Sequence, residues 1–271
     1  MRWWLACLVF LTACKQEEPP PEPPIDTAPI PPEPVSVRFE AWVDTRAFDC
    51  VSRFNNLGVN LRSSVTFQDL RFYVMNLGFV DATGNTTFVE FDADEWQSPT
   101  VALVDFADGS GFCEGTTPGT HTTLTGRVTP APEGGYTSLV FTIGVPVELN
   151  HVDLELGTPA PLNLTDMFTG RLNGYRFFKL DLASEGEPDG YPLHIRSLGC
   201  RANDVGVFEG CSAPNRAVFT LPAFDPEQHV IRLDLATLLS RNDLDDNWPV
   251  GVSGSQTSPG CQSEATDEDC R

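Results

Sequence analysis

The chain has 271 residues, with 38 Asp and Glu against 17 Lys and Arg, a formal charge of −21. That balance excludes nucleic acid and anionic lipid headgroups as partners, because such a surface repels phosphates instead of displacing their counterions. It favours solubility and permits cations without identifying one.

The N-terminus reads as an export signal. Met1-Arg2-Trp3-Trp4 gives a basic start, Leu5 to Leu11 a short apolar run, and Leu11-Thr12-Ala13-Cys14 a small-residue ending. The run is too short for a permanent membrane helix. Its ending resembles the bacterial lipobox, in which Cys14 becomes the acylated N-terminus; the other reading is a plain secretory signal cut near Ala13. Residues 1–13 are therefore expected to be removed. The mature chain is expected in the cell envelope of a Gram-negative-type bacterium, as a lipoprotein facing the periplasm or the surface and held to the membrane through Cys14. Residues 14–35 follow as a Pro/Glu-rich tether without apolar periodicity, which cannot bury enough surface to order itself. As polyproline II it would extend roughly 3.1 Å per residue.

Residues 36–250 carry the folded domain. Ser36 to Val43 alternates apolar and polar residues with the period of a half-buried strand. Further strand runs are Val65 to Val74, Leu77 to Val80, Thr86 to Phe91, Val101 to Phe106, Leu124 to Val128, Ser138 to Ile143, Tyr175 to Leu182, Ala217 to Leu221 and Val230 to Leu235. Glycine and proline clusters separate them. Helical spacing is confined to Leu233–Arg241, with a short helical turn expected over Asp166–Leu172. Many short strands with Gly/Pro-rich turns predict an all-β fold, an antiparallel β-sandwich of immunoglobulin-like type with one or two short helices. Residues 251–271 form an acidic tail with two cysteines.

Of eight cysteines, Cys7 leaves with the signal and Cys14 is the lipidation site. Cys50, Cys113, Cys200, Cys211, Cys261 and Cys270 remain, an even set in an oxidising compartment, and predict disulfides. Short loops favour Cys200–Cys211 and Cys261–Cys270, which leaves Cys50–Cys113, but sequence does not choose among the pairings. Cys-x-x-Cys is absent, which disfavours thioredoxin-type chemistry, c-type haem attachment and zinc ribbons. The four histidines, His121, His151, His194 and His229, show no HExxH or HxH spacing. Gly-x-Ser-x-Gly and phosphate loops are also absent, so nothing nominates a hydrolase or other enzyme. Asn242 to Asn247 clusters oxygen donors, but without EF-hand spacing it reads as a solvated turn.

Several phrases in register carry more information than any single residue. They are Asp69-Leu70-Arg71-Phe72-Tyr73-Val74, Trp96 through Phe106, Phe141-Thr142-Ile143-Gly144-Val145-Pro146 with Leu149-Asn150-His151, Pro159-Ala160-Pro161-Leu162-Asn163, Gly174-Tyr175-Arg176-Phe177, His194 ahead of Cys200, and Cys211 ahead of Pro214-Asn215-Arg216. In this order, from about Val37 to Leu239, they resemble the MbnP-like family, the four-Cys member of the "metallo-mystery pair". Cys50, Cys113, Cys200 and Cys211 stand where the family has its four cysteines. The resemblance implies an exported β-sandwich that binds copper. It also implies a dihaem partner related to cytochrome c peroxidases (MbnH-like), which oxidises a tryptophan of the copper protein to kynurenine. It points to His151 and His194 as metal ligands, since paired imidazoles with one further donor hold copper. One departure stands out: where the family usually reads Met-Phe/Tyr-Trp-x-Trp before Gly-Tyr, this chain has Met167-Phe168-Thr169-Gly170-Arg171-Leu172-Asn173-Gly174, without tryptophan. The alternative function is therefore a surface interaction scaffold that has lost the modified-tryptophan copper site.

Overall fold

In the computed structural model, residues 30–152, 154, 157–245 and 260–261 are described; the expected signal, Cys14, Cys270 and most of the acidic tail lie outside them. The chain from Pro31 onward forms one unit. Its first strand shows how the pattern builds the fold. Along Glu33–Val43, Val37, Phe39, Ala41 and Val43 are buried while Arg38 and Glu40 are exposed. The strand starts inside the stretch expected to be tether. Glu33 and Pro34 pair with Val128 and Arg127, while the parallel neighbour Ile231–Asp234 reaches only Phe39 to Trp42. Pro34, which lacks an N–H, thus sits where the strand has one paired side.

Two main sheets face each other. One has five strands, ordered Ile231–Asp234, Glu33–Val43, Thr123–Val128, Glu90–Phe91, with Arg46–Ala47 at the side. The other has nine, with the path Tyr191–Ile195, Phe178–Ser184, Ser63–Asp81, Tyr136–Ile143, Ala217–Pro222. Pairing is antiparallel except between Glu33–Val43 and Ile231–Asp234. The all-β sandwich expected from the sequence is the observed architecture. Thr86–Phe91 is not one strand: Thr86–Phe88 joins the larger sheet and Glu90–Phe91 the smaller, so this segment passes between layers. Among the described residues the α-helices are Val147–Asn150, which the sequence did not announce, and Leu235–Leu238, shorter than expected. Asp166–Leu172 forms turns and an isolated bridge instead of a helix.

Aromatic rings lock the layers. Phe39 of the smaller sheet lies 5.8 Å from both Phe72 and Phe141 of the larger, and Phe72 stacks on Phe178 at 5.9 Å. Each such ring contributes about 1.5–3 kcal/mol by burial, with a further ~0.5–1.5 kcal/mol for edge-to-face pairing.

Ser63–Asp81 spans 19 residues and joins the two runs seen in the sequence. Its central part is buried on both faces. Phe72 and Val74 face the inter-sheet core, whereas Tyr73 faces a second cluster with Val101, Leu103, Val145, Leu162, Met167, Tyr175 and Phe177. That second cover comes from the irregular excursion between the strands Tyr136–Ile143 and Phe178–Ser184. The Tyr73 hydroxyl donates to the Pro161 carbonyl at 3.1 Å, and the Tyr175 hydroxyl to the Leu162 carbonyl at 2.5 Å. A two-stranded hairpin, Leu198–Ala202 with Phe208–Ala213, follows the edge strand Tyr191–Ile195.

Candidate metal centre

His151 sits where the covering excursion meets that hairpin. Val147–Asn150 makes one helical turn and leaves His151 at its C-terminal end. Asn150, fully buried, ties the turn to the rest of the excursion: its Oδ1 accepts from the Tyr175 backbone N–H at 3.0 Å, and its amide nitrogen lies 3.0 Å from His151 Nε2. Gly174 is required beside it. Its φ is +74°, and a Cβ there would overlap the Asn150 amide. The phrases Leu149-Asn150-His151 and Gly174-Tyr175 therefore interlock, though 25 residues separate Asn150 from Tyr175.

The tautomer of His151 follows from its partners. Nδ1 lies 3.1 Å from the Arg171 carbonyl, which only accepts, so Nδ1 carries the proton and Nε2 a lone pair. An imidazole oriented by an Nδ1–H to carbonyl bond is the usual arrangement of a metal-ligating histidine. Burial pulls its pKa below the ordinary value, opposed by the Arg171 carbonyl and assisted by the positive charge of Arg216, and the net shift favours the neutral form. Phe208 stacks on the ring at 3.7 Å, and Cys211 Sγ lies 3.8 Å from Nε2.

His194 is held differently. Its Nδ1 accepts from Arg176 Nε at 3.1 Å, and its Nε2 lies 2.6 Å from Asp181 Oδ1. Arginine only donates, so Nδ1 has no proton and Nε2–H faces the carboxylate. Both nitrogens are thus taken, and ligation by His194 requires Arg176 or Asp181 to withdraw. Asp181 continues into a buried ionic network in which Lys179 meets Asp69 at 2.6 Å and Arg71 binds Asp69 and Asp166. His121 donates from Nδ1 to Leu103 and stacks on Trp96 at 5.5 Å; His229 Nδ1 accepts from the Asp225 N–H. Among the described residues, the one cluster of three metal-donor side chains is His151, Cys200 and Cys211, whose donor atoms lie within 4.8 Å of one another. It does not include His194.

Cys50–Cys113 and Cys200–Cys211 are disulfides, and Cys261 is disulfide-bonded, while Cys270 lies outside the described residues. Asn242, Asp243 and Asp245 of the oxygen-donor cluster serve packing: Asn242 donates to the Tyr191 hydroxyl, Asp243 pairs with Arg62, and Asp245 accepts from Gly186.

The MbnP family model matches residues 32–263. The chain belongs to the MbnP family. It is similar in structure to MbnP from Methylosinus trichosporium, with a TM-score of 0.73 and 29% sequence identity, covering 89% of this chain and 86% of that one. No curated protein matches the chain. Within this MbnP-family fold, sequence reasoning named His151 but missed the groups that orient it. Asn150 and Gly174 were legible as neighbours in family phrases; Arg171 and Phe208 carried no signal, because a backbone carbonyl and a stacking ring come from folding alone. The segment without tryptophan, Met167–Gly174, closes directly on His151 through the Arg171 carbonyl.

Proposed function

We propose that this protein is an exported, non-catalytic copper-binding member of the MbnP family, anchored through Cys14 and working beside a dihaem peroxidase-like partner in metal handling at the periplasm or cell surface. The observation that carries the reading is the placement of His151: its Nδ1 is held by the Arg171 carbonyl, and its Nε2, which accepts from the neutral Asn150 amide, faces the Cys211 sulfur of a disulfide at 3.8 Å. That donor chemistry suits copper. His194 contributes through Asp181 and Arg176 by fixing the strand edge, and becomes a second donor only if that pair opens. The acidic surface agrees with a cationic partner face, which would raise the association rate more than the affinity.

A second reading keeps the scaffold and drops the metal. It is favoured by the missing tryptophans and by a Thr169–Gly174 turn closed with its own backbone bonds. Metal analysis of protein purified from copper-replete periplasm separates the two. Copper in the wild type that falls to background in His151→Ala supports the first reading; background copper in both supports the scaffold.

A further inference from the structure

We propose that the Cys200–Cys211 disulfide is a redox latch: opened by a dithiol donor, its two thiolates join His151 Nε2 in a site of two sulfurs and one nitrogen for a soft monovalent cation, Cu(I). The proposal shares His151 with the reading above but adds a ligand set and a state which that reading does not need.

The geometry is local. Cys200 and Cys211 face each other across the Leu198–Ala202 and Phe208–Ala213 strands. The same hairpin supplies Phe208, whose ring lies against His151. A cation about 2.3 Å from sulfur and about 2.0 Å from nitrogen holds its donors roughly 3.5–4 Å apart; Cys211 Sγ and His151 Nε2 are already 3.8 Å apart. The sulfurs must separate, by side-chain rotation, and the Asn150 amide must release Nε2. Their two carriers are partly exposed, whereas Cys50 and Cys113 are 2% and 0% exposed and, among the described residues, belong to no metal-donor cluster with a histidine. Of these two disulfides, a dithiol therefore reaches Cys200–Cys211 first. Two thiolates and an imidazole select soft copper over hard cations.

The chemistry balances. One thiolate of the donor attacks a sulfur of Cys200–Cys211, breaking that bond and forming a mixed disulfide. The donor's second thiol then displaces the remaining cysteine, so the donor leaves as a disulfide and Cys200 and Cys211 each end as thiols, two electrons having passed to the protein. On ligation each thiol gives its proton to water. The Nδ1–H of His151 stays on Arg171, and Asn150 yields Nε2 to the metal.

The test uses the full chain purified oxidised, part of it treated with limiting dithiothreitol and freed of reductant without oxygen. Alkylation and mass mapping locate the opened disulfide, and Cu(I) is titrated in competition with bathocuproine disulfonate. The proposal predicts opening at Cys200–Cys211 and Cu(I) binding at least about tenfold tighter than in the oxidised form, a gain of about 1.4 kcal/mol. It also predicts a copper–sulfur signal in X-ray absorption, and loss of the gain in Cys200→Ser/Cys211→Ser and in His151→Ala. Equal affinity in both redox states overturns it, as does a gain that survives Cys200→Ser/Cys211→Ser. Should a variant unfold, the copper–sulfur signal in the reduced wild type decides, and its absence refutes the latch. Copper on the oxidised protein tests the proposed function; copper gained on reduction tests the latch, so either fails without the other.

Discussion

Replacing Gly174 by alanine should be among the most damaging single-methyl additions in the molecule. The backbone there has φ +74°, where alanine costs about 1–2 kcal/mol. The new Cβ also overlaps the buried Asn150 amide, so Asn150 must move and the Tyr175 N–H loses its acceptor. An orphaned buried donor costs about 1–3 kcal/mol, which brings the expected loss to about 3 kcal/mol. Gly84 is the control: φ is +88°, but nothing lies within 4 Å of its Cβ position, so Gly84→Ala should cost only the backbone part. Urea unfolding followed by fluorescence gives both values from midpoints at constant slope. Equal losses at the two glycines, or a Gly174→Ala loss below about 0.5 kcal/mol, would refute the claim that Asn150 is pinned between Gly174 and His151.

The ionic network and the disulfides give further tests. Truncating Arg71, which is 1% exposed, to methionine leaves Asp69 buried with one cation fewer and should cost about 3–5 kcal/mol by chemical denaturation. Burial raises the Asp105 pKa to about 7, partly offset by Arg71. Its folded state therefore holds a proton that the unfolded chain releases near 3.8, and this contribution is complete below that value and is lost as pH rises through about 7. The stability difference between wild type and Asp105→Asn should accordingly move against the wild type between pH 4 and pH 7; a flat difference curve would contradict it. Replacing Cys50 and Cys113 by serine releases a 63-residue separation and should cost about 4 kcal/mol, against about 3 kcal/mol for the 11-residue separation of Cys200–Cys211, both read from thermal or urea unfolding.

Where apolar alternation was strong, the sequence was a sufficient guide. Val37, Phe39, Ala41 and Val43 announced the first strand because period-two burial leaves a direct trace. The strand Tyr191–Ile195 left none: Pro192 demotes such a run in a single-sequence reading, yet it is tolerated on an edge. The hairpin around Cys200 and Cys211 is largely exposed, so hydrophobic patterning cannot reveal it. His151 and His194 looked equivalent in the chain because both stand in family phrases. What separates them is the company of the acceptor nitrogen: His151 Nε2 takes its hydrogen bond from the neutral Asn150 amide with the Cys211 sulfur 3.8 Å away, whereas His194 Nδ1 takes one from the Arg176 guanidinium and its Nε2–H is held by Asp181. Such a distinction depends on contacts between residues up to 60 positions apart and has no spacing signature.

The proposed function stands or falls on His151 of this chain donating to copper through Nε2. Nitrogen-15 imidazole spectra of the oxidised protein, recorded before and after one equivalent of Cu(I), test it most directly because they resolve each ring nitrogen. His151 Nε2 is expected to shift while its Nδ1 stays protonated and both nitrogens of His194 hold their positions. An unmoved His151, or a shift confined to His194, would contradict it.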